Sequence, residues 1–261
     1  MEDQEPGFEA ATIVARQLMK RGPPFPKWLQ DDLMDDTRLA EDGCPRRMPS
    51  IGPMYQVVLP LTGVERQDEQ EERGMADMTG VDKLKELFRE HGRSEYIGED
   101  VSQLEHALQA AAWAEVAMEP PCLIMAALCH DVGHLLMLAG HDLKPMEGLG
   151  AHKHAVAGAE WLENELGLGN EVTDPVRLHV AAKRYQAFKI PRYVQQSLSP
   201  ASQRTLELQG GPMSDEEARQ FETHPMHKEA LRLRAYDNAA KVKGEETWTL
   251  DEALAASGHG S

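Results

Sequence analysis

From about residue 80 onward, apolar residues recur every three or four positions, which is the spacing of amphipathic α-helices. The first apolar face consists of Val81, Leu84, Leu87 and Phe88. Gly92 follows this face, and glycine is a common stop signal after the last residue of a helix. The pattern therefore predicts a helix that begins near Val81 and ends before Gly92.

Capping motifs and helix breakers predict further helices along the chain. Their signals are, in order, the capping box Ser102-Gln103-Leu104-Glu105; the apolar run from Cys122 to Cys129 after Pro120-Pro121; the segment from about His152 to Leu166, before Gly167; the segment from about Asp174 to Phe188, with Pro175 near its start; the capping box Ser214-Asp215-Glu216-Glu217, whose helix is ended by Pro225; and a last segment from about Met226. No alternating strand pattern of convincing length accompanies them. The predicted fold class is all-α.

Residues 1–75 differ from the rest of the chain, because they carry scattered prolines and an acidic run from Gln67 to Glu72. One short helix is predicted from Phe8 to Lys20. We interpret this part as a partly ordered N-terminal extension or linker, and residues 76–261 as the functional domain.

The charge and cysteine content of the chain limit the kinds of binding partner and cellular compartment that we expect. A net charge of -17 argues against a nucleic-acid backbone or an anionic membrane surface as the binding partner. The three cysteines form no C-x-x-C pair, so we expect reduced thiols in a cytoplasmic protein. The N-terminus lacks the pattern of a signal peptide, and the run from Cys122 to Cys129 is shorter than the roughly 20 residues that span a bilayer. No sequence feature indicates an oligomeric state.

The most informative motif is a His-Asp doublet, His130-Asp131, followed one helical turn later by His134. A carboxylate has two oxygens that can bridge two metal ions, and it stands here beside an imidazole. Taken alone the doublet is a weak signal, since adjacent His and Asp also occur on polar helix faces.

Four more residues strengthen the metal-site hypothesis: His106, His152, His179 and Asp237, each on a different predicted helix or helix end. Helical bundles gather metal ligands in this way. Imidazoles and carboxylates without thiolates suit iron, manganese or zinc. The remaining histidines are interpreted as surface or hydrogen-bonded residues; they are His91, His141, His154, His224, His227 and His259.

The order His...His-Asp...His...His...Asp over about residues 90–245 resembles the HD-domain superfamily, and within it the mixed-valent diiron oxygenases. Tyr96-x-x-Glu99 is followed seven residues later by His106, and the doublet comes 24 residues after that. This spacing, together with His179-x-x-x-Lys183, is similar to that of the oxygenases that cleave the carbon-phosphorus bond of 1-hydroxy-2-aminoethylphosphonates.

The resemblance implies two iron ions, Fe2+ and Fe3+, in an HD-type helical bundle. One iron would be held by His106, His130, Asp131 and Asp237, and the other by Asp131, His152 and His179, with Asp131 bridging. A phosphonate clamp is implied at His134, Lys183, Ser202, Thr205 and Arg234. Tyr96 and Glu99 are implied to form a gate at the open iron position, and Tyr96, Glu99, His134 and Lys183 to have catalytic roles.

The implied reaction takes dioxygen and a 1-hydroxy-2-(amino or trimethylammonio)ethylphosphonate and gives phosphate with glycine or glycine betaine. The sequence leaves open which group carbon 2 carries. Trp113, Tyr185 and Tyr193 are candidates for a cation-π contact with it, or for core packing.

A rival interpretation is an HD-domain phosphohydrolase, in which the doublet holds a metal that activates water against a nucleotide or another phosphate ester. Tyr96, Glu99 and the phosphonate clamp argue against this rival, because hydrolysis does not require them.

Overall fold

The computed structural model describes residues 78–96, 98–146, 150, 153–245 and 247–260. The extension at residues 1–75, with its predicted helix from Phe8 to Lys20, lies outside the described residues, and so does His152. Within the described ranges the fold is all-α, as predicted, and Glu95 and Ser102 form an isolated antiparallel β-bridge.

The helices are numbered here in chain order. Their bounds are α1 Gly80–His91, α2 Gln103–Val116, α3 Pro121–Cys129, α4 Val132–Leu138, α5 His154–Leu166, α6 Asn170–Lys189, α7 Tyr193–Ser197, α8 Pro200–Leu208, α9 Asp215–Glu222, α10 His227–Ala239 and α11 Leu250–Ala256.

The capping signals are confirmed at the starts of α2 and α9. The side chains of Ser102 and Ser214 each accept a hydrogen bond from the backbone N–H three residues later. The glutamate side chain at that later position accepts a hydrogen bond from the backbone N–H of the serine. Gly167 ends α5 with a positive φ of 65°, a conformation that glycine adopts without strain.

Two sequence expectations about helices are wrong. The start near Asp174 is wrong by four residues, because α6 begins at Asn170 and takes Pro175 into its second turn. Four short helices, α4, α7, α8 and α11, have no counterpart among the predictions. They span five to nine residues, too few for a repeating apolar face to be recognised, although α11 begins with a capping box at Thr249 and Glu252 that marks its start.

The core is built around α3, whose residues from Leu123 to Cys129 are all buried. Helices α2, α6 and α10 pack against it, and α5 packs on α6. The segment Pro121–Leu138 is long and apolar enough to match a membrane span, but 83% of it is buried in the protein, as core helices are. That segment breaks between α3 and α4 at His130-Asp131, so the core helices deliver the doublet into the interior.

Candidate metal centre and adjoining pocket

Six buried side chains from five parts of the fold converge on one region. They are His106 on α2, His130 and Asp131 between α3 and α4, His154 at the start of α5, His179 on α6 and Asp237 on α10. Five of them belong to the predicted metal set, and His154 does not.

The first cluster consists of His106, His130 and Asp237. The Nε2 atoms of the two histidines lie 3.0 Å apart. Nδ1 of His106 donates to the carbonyl oxygen of Ala240 at 2.7 Å, and Nδ1 of His130 donates to that of Ala127 at 2.8 Å. A carbonyl can only accept, so in the neutral rings both Nδ1 atoms carry the hydrogen and both Nε2 lone pairs face each other.

Two facing lone pairs require a cation between them, and a proton is a poor candidate. Burial, and then the neighbouring His130, lower the pKa of His106 to about 4. Asp237 Oδ1 lies 3.6 Å from His106 Nε2 and is buried without a hydrogen-bond partner among the described residues. Two nitrogens bound at a right angle and about 2.1 Å from one metal ion would be about 3 Å apart. The donor set therefore fits a metal ion.

The second cluster consists of Asp131, His154 and His179. Oδ1 of Asp131 lies 3.3 Å from Nε2 of His154 and 3.4 Å from Nε2 of His179, and these two nitrogens are 3.1 Å apart. Nδ1 of His179 donates to the carbonyl oxygen of Val176 at 2.7 Å, which again directs the Nε2 lone pair inward. Burial is the main cause that lowers the pKa of His179 to about 4, so this ring too is neutral at pH 7.

Asp131 faces both clusters with different oxygens. Its Oδ2 lies 3.5 Å from Nε2 of His130 and 3.7 Å from Nε2 of His106, whereas Oδ1 faces the second cluster. Tyr96 Oη donates to Oδ2 at 2.8 Å, and its ring stacks on His106 at 4.0 Å. Burial alone would raise the pKa of Asp131, but the surrounding imidazoles outweigh it and hold that pKa well below its usual range. An ionised carboxylate in this position can bridge two metal ions.

His154, which the sequence indicates as a surface or hydrogen-bonded residue, is not at the surface: it is 5% exposed and faces Asp131. Two glycines, one in α4 and one in α5, bring His154 close to Asp131. A Cβ at Gly133 would lie 2.2 Å from the carbonyl oxygen of His154, and a Cβ at Gly158 would lie 2.9 Å from Val132 Cγ1. The two glycines let α5 approach the doublet closely. They were the sequence signal for this contact, although spacing alone does not separate His154 from His152.

His134 lies beside the second cluster. Its ring stacks on that of His154 with centroids 4.1 Å apart, and one of its ring nitrogens lies within 4.8 Å of a ring nitrogen of His154 and of a carboxylate oxygen of Asp131. Burial, and then His154, lower the pKa of His134 to about 3. The ring is therefore neutral at pH 7, able to donate through one nitrogen and accept through the other.

A small pocket of about 50 Å³ opens onto the second cluster. Its lining includes Tyr96, Glu99, Asp131, His134, His154, His179, Lys183, Ser202, Thr205, Arg234 and Asp237. All the residues predicted for the clamp and the gate thus meet in one cavity. The histidines of the first cluster, by contrast, are 0% exposed, so a bound molecule would meet the second cluster.

Lys183 and Arg234, two of the predicted clamp residues, each have hydrogen-bond partners in the structure. Lys183 Nζ donates to Thr205 Oγ1 at 2.9 Å, and burial, followed by the charge of Arg234, lowers the pKa of Lys183 to about 7. Arg234 donates to Asp237 and, at 2.7 Å, to Asn238 Oδ1. Burial disfavours the charge on Arg234, yet Asp237 outweighs this and raises its pKa. Lys183 therefore titrates near neutrality, while Arg234 stays charged.

Glu99 and Lys241 form an ion pair at the edge of this pocket. Oε1 of Glu99 accepts a hydrogen bond from Ser199 Oγ and lies 3.4 Å from Lys241 Nζ. Lys241 Nζ also donates to Ser202 Oγ at 2.9 Å. Lys241 is not among the residues predicted from the sequence, because it lies beyond the end of α10, where helical spacing gives no signal.

The aromatic candidates for a cation-π contact do not line this pocket. Trp113 is buried in the core, and Tyr185 packs on Phe221. Tyr193 accepts a hydrogen bond from Asn238 and lines a separate pocket of about 190 Å³. Around the second cluster, the described aromatic rings are Tyr96 and the histidines.

Comparison with known proteins identifies a matching family and several similar proteins. A match to the HD domain family covers residues 73–238. The chain is 45% identical over 172 residues to a hydroxymethylphosphonate dioxygenase of Gimesia maris, which covers 66% of this chain and 83% of that protein. It is 42% identical over 161 residues to the glycine-betaine-forming [1-hydroxy-2-(trimethylamino)ethyl]phosphonate dioxygenase of Leisingera caerulea, or 62% of this chain and 80% of that protein. An uncharacterised protein of Acanthamoeba polyphaga mimivirus is 37% identical over 171 residues, or 66% of this chain and 77% of that protein.

Proposed function

The chain belongs to the HD domain family, and we propose that it is a dioxygenase that cleaves the carbon-phosphorus bond of a small 1-hydroxyphosphonate. Both named relatives are dioxygenases, and both act on a phosphonate with a hydroxyl on carbon 1. Glycine betaine contains no phosphorus, so the glycine-betaine-forming reaction removes it from the carbon chain. The rival phosphohydrolase is not favoured by these relatives.

One structural observation carries the proposal: a single carboxylate, Asp131, faces two clusters of imidazole nitrogens, and only the histidines of the second cluster line the pocket that also holds Lys183 and Arg234. A two-metal centre with one metal open to a bound molecule would give an oxygenase a place for substrate and dioxygen. We assign His106, His130 and Asp237 to one iron, His154 and His179 to the other, and Asp131 to both. His154 replaces His152 in the ligand set because its nitrogen lies within the second cluster.

Two irons in the Fe2+ and Fe3+ states would supply dioxygen activation at this centre. The protein's own side chains then have three tasks. They place the carbon 1 hydroxyl and the phosphonate at the second cluster, hold the phosphonate charge, and keep water away from the open position.

The charges and hydrogen-bond donors of the clamp residues suit a phosphonate. Lys183 and Arg234 provide positive charge, Ser202 and Thr205 provide hydroxyl donors, and His134 can donate from a neutral ring. Hydrogen bonds of this charge-assisted kind contribute about 1.5 to 3 kcal/mol each. Tyr96 holds Asp131 through its hydroxyl, and with Glu99 it forms the gate at the open position.

One molecule of dioxygen balances the atoms of the reaction, both for hydroxymethylphosphonate and for substrates that carry an amino or trimethylammonio group on carbon 2. Hydroxymethylphosphonate plus one O2 contains the atoms of formic acid plus phosphate, and a 2-ammonio or 2-trimethylammonio substrate gives glycine or glycine betaine in the same way. The pocket is small, and no described aromatic cage surrounds it beyond Tyr96 and the histidines. We therefore propose hydroxymethylphosphonate as the first substrate to test, alongside the two carbon 2 derivatives predicted from the sequence, and a cytoplasmic reaction.

Product identification tests this proposal. Iron-loaded protein is incubated in air with each of the three phosphonates, and phosphate and the carbon product are measured, with Asp131→Ala as the inactive control. We expect phosphate together with formate, glycine or glycine betaine from at least one substrate. Phosphate release from a simple phosphate ester, with none from any of the three phosphonates, would contradict it.

A further inference from the structure

The backbone on both sides of Lys241 is hydrogen-bonded to α2, although the residue lies just beyond the end of α10. The carbonyl oxygen of Ala240, on one side of it, accepts from His106 Nδ1 at 2.7 Å. On the other side, Gln109 bonds Val242 twice, donating to its carbonyl oxygen at 2.8 Å and accepting from its N–H at 3.0 Å. Helix α2 therefore fixes the backbone on both sides of Lys241.

The ammonium of Lys241 lies among residues of both the gate and the clamp. It is 2.9 Å from Ser202 Oγ in the clamp and 3.4 Å from Glu99 Oε1 in the gate. It also lies 5.6 Å from the centroid of the Tyr96 ring and 3.9 Å from Asp237 Oδ1. The side chain is only 12% exposed, so these contacts are made largely out of water.

Glu99 needs such a partner, because its side chain is 13% exposed and a buried carboxylate is costly without one. Lys241 and Ser199 both contact the same oxygen, Oε1. This arrangement orients the carboxylate and leaves its other oxygen, Oε2, outside both contacts.

A phosphonate held at Ser202 would reach the same ammonium, since Nζ is already within hydrogen-bond distance of the Ser202 hydroxyl. An ammonium has three donors on a flexible stem, and a phosphonate carries more negative charge than a carboxylate. Phosphonate binding would therefore compete with Glu99 for Lys241.

We propose that Lys241 couples the gate to the phosphonate clamp: it holds Glu99 in the substrate-free enzyme and turns to the phosphonate when substrate binds. This inference rests on the proposed function. It makes Lys241 both a phosphonate-binding residue and a positioning residue for Glu99.

The chain offers a matched control in Lys243, two residues further on. Its side chain is 73% exposed, and its ion-pair partner Asp100 lies at the surface. Lys243→Met removes the same charge from the same segment without touching the pocket. Lys241→Arg keeps the charge and serves as the conservative variant.

Two measurements test the coupling in Lys241→Met, Lys241→Arg, Lys243→Met and the parent, all with iron content and melting temperature checked. The first is anaerobic calorimetry with hydroxymethylphosphonate, in which no turnover occurs. The second is oxygen consumption by reduced, iron-loaded protein without substrate. We expect Lys241→Met to bind the phosphonate at least about tenfold more weakly and to consume oxygen faster, Lys241→Arg to recover part of both, and Lys243→Met to match the parent.

The coupling is overturned if Lys241→Met changes only one of the two measurements, or if Lys243→Met changes both equally. A second test uses Glu99→Ala: adding Lys241→Met to it should not raise substrate-free oxygen consumption further, and a further rise would mean that Lys241 does not act through Glu99. Failure of the proposed function looks different. In that case the parent would release no phosphate from any of the three phosphonates in air, whatever the Lys241 variants show.

Discussion

Nε2 of His154 lies 3.3 Å from Oδ1 of Asp131, so the start of α5 meets the junction of α3 and α4 at the second cluster. The contact depends on Gly133, where any side chain would collide with the backbone of His154. Because of this contact, each carboxylate oxygen of Asp131 faces a different set of histidine nitrogens. The assignment of two metal ions follows from these two sets.

The first prediction concerns which histidine completes the second cluster. His154→Ala should lose one of two bound irons, because it removes a nitrogen 3.1 Å from that of His179. His152→Ala is the matched variant two residues earlier and should keep both. Iron content per chain, measured after loading and desalting, checks this. Two irons in His154→Ala together with one in His152→Ala would restore the assignment made from the sequence.

The second prediction concerns Asp131 itself. Asp131→Ala should lose both irons, since it is the residue whose oxygens face both clusters. His179→Ala should lose chiefly the second. The same metal analysis applies, with circular dichroism to verify that the variants remain helical. An Asp131→Ala protein that retains two irons would show that the carboxylate does not bridge.

Sequence patterns predicted much of this fold because capping boxes and apolar faces are local signals. The starts of α2 and α9 were determined by Ser102 and Ser214, and the structure confirms them. The start of α6 was misplaced, because Pro175 is tolerated in its second turn although proline usually marks the first. Short helices such as α8 lack enough turns to show a periodic face.

The site was harder to predict where it depends on packing between helices. His154 and His152 are both near the start of α5, and choosing between them requires knowing how closely α4 and α5 approach at Gly133. Lys241 lies beyond the end of α10, where helical spacing gives no direction for the side chain. Residues carried by α2, α3 and α6 were recognisable because their order and spacing along the chain match a known pattern.

The third prediction concerns pH. Burial, and then Arg234, lower the pKa of Lys183 to about 7, so its charge is lost as pH rises through that value. Phosphonate affinity should therefore fall between about pH 6 and 8 in the parent relative to Lys183→Arg, which stays charged throughout. The effect of pH on folding stability has the opposite sign. Above pH 7 the folded chain has lost the proton on Lys183, whereas the unfolded chain still binds it. The destabilisation that comes from burying Lys183 therefore decreases as pH rises.

Anaerobic calorimetry across this pH range, on both proteins, checks the third prediction. The second ionisation of the phosphonate affects both proteins equally, so the difference between them reports Lys183. Parallel pH profiles would show that Lys183 is charged throughout or does not contact the phosphonate.

The fourth prediction concerns the gate. Glu99→Ala should retain both irons, because neither assigned ligand set includes Glu99, but its reduced form should oxidise faster in the absence of substrate. Loss of the carboxylate held by Ser199 and Lys241 leaves the open position unguarded. Stopped-flow oxidation of substrate-free protein measures this. An unchanged rate would remove Glu99 from the gate.

The central claim is that oxidation by dioxygen breaks the carbon-phosphorus bond. Its most direct test is the ratio of oxygen consumed to phosphate released, with hydroxymethylphosphonate and the two carbon 2 derivatives as substrates, in air and under strict anaerobiosis. We expect a ratio near one in air and no phosphate without oxygen. Equal phosphate release in both conditions would contradict the oxygenase assignment and return the chain to the hydrolases of its family.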